Sequence, residues 1–334
     1  MQPVLQKILV VGGNGFVGSA VCKAALARGM QVTSISSSGK PYTTPKGHSP
    51  AWTSKVSWQK ADALDPGTYA HLMPGATAVV HTLGTLLEDP RYKEALKEGN
   101  VPKLLNAFLS GSTSGGRLDE PSEKPGSYEL LNRDSALRMC ETFASSKAAV
   151  PLEGRPRPFV YVSAEDIFRP FISARYIETK REAEVQIDRM VAGNPDLRPV
   201  FIRPSLIYHP HFRPLTSPLA ALLDLSATIH SSVPRGLPTP AGLLRSIASR
   251  AGVSHSASRP DASPALAGST SPLDSVANAL TIPPIHVDHV AEAICIAADV
   301  AREDVRGVYG VREIRELIGW REKGQQQASV PNHV

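Results

Sequence analysis

Cysteine is scarce in this chain: Cys22, Cys140 and Cys295 are an odd number, lie far apart and form no CxxC pair. That excludes a disulfide framework and a thiolate zinc site, leaves no metal centre to expect, and points to a reducing compartment. Long apolar runs are missing too, none approaching the roughly 18 residues of a membrane-spanning helix. The N-terminus has no charged start, apolar middle and small-residue cleavage site of a secretory signal. A soluble or peripherally attached protein is expected. Acidic residues are absent from the first 61 positions, which hold seven Lys/Arg, whereas 29 basic residues face 31 acidic ones in the remainder. The positive field is therefore local, and it suits a small anionic ligand rather than a nucleic acid.

Apolar residues make up 42% of the 334 positions and charged residues 20%, a balance that builds a buried core. The length predicts two domains, or one larger α/β domain with insertions. Lys7 to Val11 is a short β-branched run, Gly12 to Gly18 a glycine cluster, and Ser19 to Arg28 a helix ended by Gly29. Further strands are predicted at 31–35, 56–58, 78–82, 159–163 and 199–203, and helices at 128–144, 175–190 and 290–300. Strands alternating with helices predict a doubly wound parallel α/β sheet of the Rossmann kind. No internal repeat is visible.

Residues 1–207 are thus expected to form the dinucleotide-binding domain and 208–320 a smaller, loop-rich substrate region, with 321–334 a polar tail. Between 226 and 275 the chain holds 12 Ser, 6 Pro and 4 Gly in 50 positions. Such a composition predicts a mobile insertion or lid. No cleavable presequence is expected ahead of the glycine turn at Gly12.

Gly12, Gly13, Asn14, Gly15, Phe16, Val17 and Gly18 follow a strand and open a helix, the context in which glycines let backbone N–H groups approach a pyrophosphate. After the second strand comes Ser36, Ser37, Ser38, Gly39 and Lys40, with no carboxylate to bind a ribose 2′-OH. Hydroxyls and a lysine suit a 2′-phosphate, so NADP(H) is favoured over NAD(H). Asp62 stands where an acidic side chain commonly accepts from an adenine amine; a solvated loop aspartate is the alternative. Tyr176 and Lys180, four apart on a helix, share a face, so an ammonium can lower the phenol's pKa. Tyr42 and Lys46 have the same spacing but sit between Pro41 and Pro45, which exclude a helix. Ser163, at the mouth of a strand, completes a possible constellation of serine, tyrosine and lysine.

With Arg203-Pro-Ser-Leu-Ile-Tyr208 and His286-Val-Asp288, these motifs make the sequence resemble the extended and atypical short-chain dehydrogenase/reductase superfamily over about residues 5 to 312. Tyr176-Ile-Glu-Thr-Lys-Arg-Glu-Ala-Glu184 looks most like a fungal mitochondrial subgroup. That subgroup takes in a coenzyme Q biosynthesis-associated protein and, more distantly, the NADPH-binding accessory subunit of respiratory complex I. The resemblance implies that Ser163 polarises a carbonyl, Tyr176 exchanges its proton, and Lys180 binds the nicotinamide ribose. It implies further that Thr82 and Gly84 line the adenosine side and that Asn132 completes a proton relay. Ala164 and Tyr208-His-Pro depart from the sugar-nucleotide enzymes of the superfamily and weaken that assignment. Pro204 and His286 read as a loop proline and a partly buried structural histidine.

Two functions follow from this resemblance. One is an oxidoreductase acting on a small apolar substrate or quinone-pathway intermediate in the mitochondrion. The other is a nucleotide-bound structural or assembly subunit of a mitochondrial protein complex. Peripheral membrane contact fits either.

Overall fold

The computed structural model describes residues 5–86, 128–149, 152–167, 169, 172–210, 216–234, 237–252 and 271–320. Its centre is a seven-stranded sheet. In chain order the strands are β1 (Lys7–Val11), β2 (Gln31–Ser36), β3 (Val56–Lys60), β4 (Ala78–His81), β5 (Arg157–Val162), β6 (Leu197–Ile202) and, after a short β7 (Ile207–Tyr208) and β8 (Ile285–His286), β9 (Gly307–Tyr309). The spatial order is β3-β2-β1-β4-β5-β6-β9, every neighbour parallel. Strand order reverses between β1 and β4, which opens a crevice at their carboxyl ends, where open α/β sheets bind ligands.

Because both faces of a parallel sheet are covered, its central strands carry apolar residues on both faces. Ile8 and Val10 face one layer with Val80, Val160 and Val162, and helix α1 (Phe16–Ala27) packs there through Val21, Cys22 and Ala25. Leu9 and Val11 face the other with Phe159 and Tyr161, against Met139 and Phe143 of α2 (Ser135–Ser145) and Ala183 and Ile187 of α3 (Ala174–Val191). A π-helical turn, Glu129–Asp134, leads into α2. The three cysteine thiols are free and buried.

The middle of the second region differs from its compositional reading. Helices α4 (Thr216–Ser232), α5 (Pro240–Gly252) and α6 (Pro272–Thr281) occupy much of the stretch expected to be mobile. Its hydroxyls do not oppose helix formation because they donate one turn back. Thr228 bonds the Asp224 carbonyl, Ser232 the Thr228 carbonyl and Ser246 the Gly242 carbonyl, at 2.8–2.9 Å. Its prolines start helices rather than break them: Pro240 and Pro272 are first residues, and Ser271 with Asp274 forms a capping box ahead of α6. Residues 235–236 and 253–270 of that stretch and the 321–334 tail lie outside the described residues. The parallel pair β7 and β8 then passes the chain into α7 (Val287–Ala297), which packs beside α1, and α8 (Val311–Leu317) follows β9.

Candidate functional site

A cleft of about 330 Å³ opens at the β1/β4 switch point. Gly12, Asn14, Gly15, Phe16, Val17 and Gly18 form one wall, Thr82 and Gly84 the next, and Ser163, Tyr176 and Lys180 the far side. These sequence-predicted residues share one space. Gly12 has φ +85°, and a Cβ at Gly18 would run into the Gly12 carbonyl oxygen. The turn closes only because both lack side chains. Gly15, the residue before α1, leaves the helix N-terminus open to the cleft.

Other predicted residues lie outside the cleft lining. Gly13 faces Ser34 and Cys22. Ser36 and Ser38 accept from the Gly39 and Lys40 N–H groups at 3.1 and 3.3 Å, and Asn14 donates to Ser38 at 3.2 Å, so this hydroxyl loop is tied to the glycine turn. Ser37 and Lys40 are exposed. Asp62 is exposed too, and its Oδ1 accepts from the Leu64 N–H at 2.9 Å, an Asx turn. Asn132 is fully buried behind the cleft in the π-helical turn. Its Oδ1 accepts from the Thr85 N–H at 2.9 Å, while its own carbonyl accepts from the Tyr161 hydroxyl. Holding the Thr85 loop is therefore the geometric role of that side chain.

Lys180 is 3% exposed. Its Nζ donates to the Val162 carbonyl at 2.8 Å and the Leu83 carbonyl at 3.3 Å, and lies 4.8 Å from the Tyr161 ring centre. A Cβ at Gly84 would lie 2.8 Å from that Nζ, so the glycine leaves room for it. Burial lowers the ammonium pKa from 10.5 to about 7, against the opposing charge of Glu184. Between those values the unfolded chain holds one more proton than the folded one, so stability should rise with pH from about 7 toward about 10. In Lys180→Met that rise should be absent. Denaturant melts of the protein without cofactor at about pH 7 and about pH 9 test this; equal slopes in the two proteins would contradict it.

The sequence reading passed over the charges behind Ser163. Glu184, buried on α3, accepts from Arg181 at 2.7 Å and from Arg203 at 3.0 Å. Burial pushes this carboxyl up, but the bonds and charges of Arg203 and Arg181 outweigh it and hold it below its ordinary value, helped by the Ser163 hydroxyl. Arg181 also donates to Ser163 Oγ at 3.2 Å. Nearby Glu165 is raised by burial, against the lowering charges of Arg181 and Arg203. The signal was present as Lys180-Arg181 followed by Glu184 one helical turn on, beside the quoted Arg203. Pro204 also lines the cleft.

His209, His286 and Asp288 place potential ligand atoms within 4.8 Å of one another. His286 Nδ1, however, accepts from the Asp288 N–H at 3.2 Å and so caps α7. One ring nitrogen is spent and the other carries the proton in neutral imidazole, which makes the cluster a helix cap.

Gly15→Asp should weaken dinucleotide binding at least ~10-fold, because a carboxylate would face the pyrophosphate at the helix N-terminus. Thermal shift with NADPH measures it, and an undiminished shift would remove this loop from the site.

A family model described as the NAD dependent epimerase/dehydratase family matches residues 8–106. The chain is 34% identical over 212 residues to MIOREX complex component 2 of Saccharomyces cerevisiae, covering 62% of this chain and 75% of the yeast protein. It is 27% identical over 216 residues to the 2-alkyl-3-oxoalkanoate reductase of Stenotrophomonas maltophilia, covering 64% of this chain and 54% of that enzyme. The fold is similar to a short-chain type dehydrogenase/reductase from Mycobacterium ulcerans, with TM-score 0.51 and 14% identity over 93% of this chain and 90% of that one.

Proposed function

The chain belongs to the NAD-dependent epimerase/dehydratase family of short-chain dehydrogenase/reductases, and on that premise we propose that it is an NADP(H)-dependent oxidoreductase for a carbonyl or hydroxyl on a small apolar substrate. The observation that carries this reading is the shared cleft: Tyr176, Lys180 and Ser163 face the space that the glycine turn opens. The dinucleotide fits this chain because the turn that Gly12 and Gly18 close leaves the N-terminus of α1 open to the cleft at Gly15. When bound, a nicotinamide cofactor supplies or accepts the hydride. Tyr176 would give the proton to the substrate oxygen or take it, and the Lys180 ammonium, one helical turn on and lining the same cleft, would favour the phenolate. Gly12 to Gly18 would hold the pyrophosphate, and Ser36 to Lys40 would favour a 2′-phosphate. Tighter binding of NADH than NADPH by calorimetry would overturn that preference.

A role in mitochondrial ubiquinone biosynthesis rests on the resemblance to the fungal subgroup, with a quinone-pathway intermediate as substrate. A second reading is a nucleotide-bound assembly subunit of a mitochondrial complex. It is favoured by the internal bonding of the polar groups: Ser163 is held by Arg181, and Lys180 by two carbonyls. A cofactor-oxidation assay with quinone-pathway intermediates and a 2-alkyl-3-oxoalkanoate separates the two. Turnover supports the oxidoreductase; tight NADPH binding with no turnover on the whole panel supports the subunit.

A further inference from the structure

The parallel pair of β7 and β8 is a partition between two cavities. Successive residues of a strand point to opposite faces: Ile207 lines the candidate cleft, whereas Tyr208 lines a second cavity of about 400 Å³, and the two linings have no residue in common. That volume accommodates a small organic molecule. Ala220 and Ala221 of α4, with Pro284, give it an apolar wall. The polar part of the lining is mostly hydrogen-bond donors.

Arg315 of α8 pairs with no carboxylate among the described residues. Its Nη2 donates to the Pro284 carbonyl at 3.2 Å, its Nε is buried with no acceptor, and the guanidinium lies 4.5 Å over the Trp320 ring. A buried donor left unpaired costs stability, so the fold alone gives no reason for this placement. The Trp320 indole N–H and the Tyr208 hydroxyl bond nothing among the described residues. His286 spends Nδ1 on the Asp288 N–H, which leaves the proton of the neutral ring on Nε2 as a further donor. Four side chains therefore bring unspent hydrogens to one space, and an acceptor-rich ligand is the complement they lack.

Charge narrows the class. Arg315 is the cation of this lining and the exposed Asp224 its carboxylate. One negative charge is matched at the guanidinium, whose fork takes both oxygens of a carboxylate, but a second would be repelled by Asp224. We propose that this cavity binds a small organic monocarboxylate, with the carboxylate on Arg315 and the apolar tail along Ala220, Ala221 and Pro284. The site is distinct from the dinucleotide cleft and depends neither on turnover nor on cofactor binding.

The experiment is calorimetric titration of the purified full chain with octanoate at about pH 8, beside octan-1-ol, which has the tail without the charge, and octyl phosphate, which has lost its second proton there. Octanoate should bind saturably, and the other two at least ~10-fold more weakly. Arg315→Met should weaken octanoate at least ~10-fold. Ala221→Phe, which fills the cavity from an exposed position on α4, should do the same without touching the arginine. Melting curves taken without ligand identify which variants are folded, and saturating NADPH should leave the octanoate affinity unchanged. Absence of saturable octanoate binding to the wild type, or equal binding by either folded variant, overturns the proposal. So does octan-1-ol or octyl phosphate binding as tightly as octanoate, or displacement of octanoate by NADPH, which would place it in the cleft.

Discussion

Tyr176→Phe should lower turnover at least ~10²-fold, the usual loss when a general acid or base is removed. The ring of Tyr176 packs edge-on against Tyr128, with centroids 6.2 Å apart, and phenylalanine keeps that contact. Fold and cofactor affinity should therefore barely move while the transferable proton is gone. Lys180→Ala should behave differently. It removes the donor to the Val162 and Leu83 carbonyls as well as the ammonium that shares the cleft with Tyr176, so turnover and cofactor affinity should fall together. Steady-state rates with a turned-over substrate, paired with calorimetric NADPH titrations, make the comparison. If cells that depend on this protein make quinone normally with Tyr176→Phe, the general-acid assignment fails and the assembly-subunit reading gains.

The parts of this site that could be read from sequence are those whose chemistry is local. A strand, seven residues from Gly12 to Gly18 and a helix are contiguous, so backbone geometry alone turns them into a cleft wall. Tyr176 and Lys180 are one helical turn apart, so any α-helix puts them on one face. Ser163 could be placed because a parallel strand delivers the residue just past its end to the same sheet edge as the glycine turn. The grip on Glu184 could not be read, because it joins Arg203 at the end of β6 to α3 and depends on how closely that helix sits over the sheet. Asn132 was found as a residue but not as a contact: its bond to the Thr85 backbone arises from a π-helical turn that no periodicity signals. In the 226–275 stretch composition could not show the helices that its described residues form, because it counts serine and proline without regard to position. The same residues act as N-terminal prolines and backbonding hydroxyls once α4 and α5 pack on α6.

Glu184→Gln should be the most destabilising single change near the cleft, although the two side chains are almost the same size. The carboxylate is nearly buried and balances two guanidiniums, Arg181 and Arg203, whose side chains are 15% and 26% exposed. Removing its charge takes from both guanidiniums the carboxylate they are paired with, and breaking a buried pair from one side costs about 3 kcal/mol. A chain of this size should then melt about 4 °C lower. The pH dependence follows from the direction of the shift. A carboxyl held below its ordinary value adds stability above about pH 4.5 and loses it as pH falls through the lower folded value, so the gap between wild type and variant should close in acid. Adding Arg203→Met to Glu184→Gln should restore part of the loss, since the uncompensated guanidinium rather than the missing bond is the larger cost. Calorimetry of the wild type, both single variants and the double variant at about pH 7 and about pH 4 resolves these contributions. A Glu184→Gln protein that melts with the wild type at neutral pH would show that the guanidiniums are solvated where they stand. The charge behind Ser163 would then have no part in shaping the cleft.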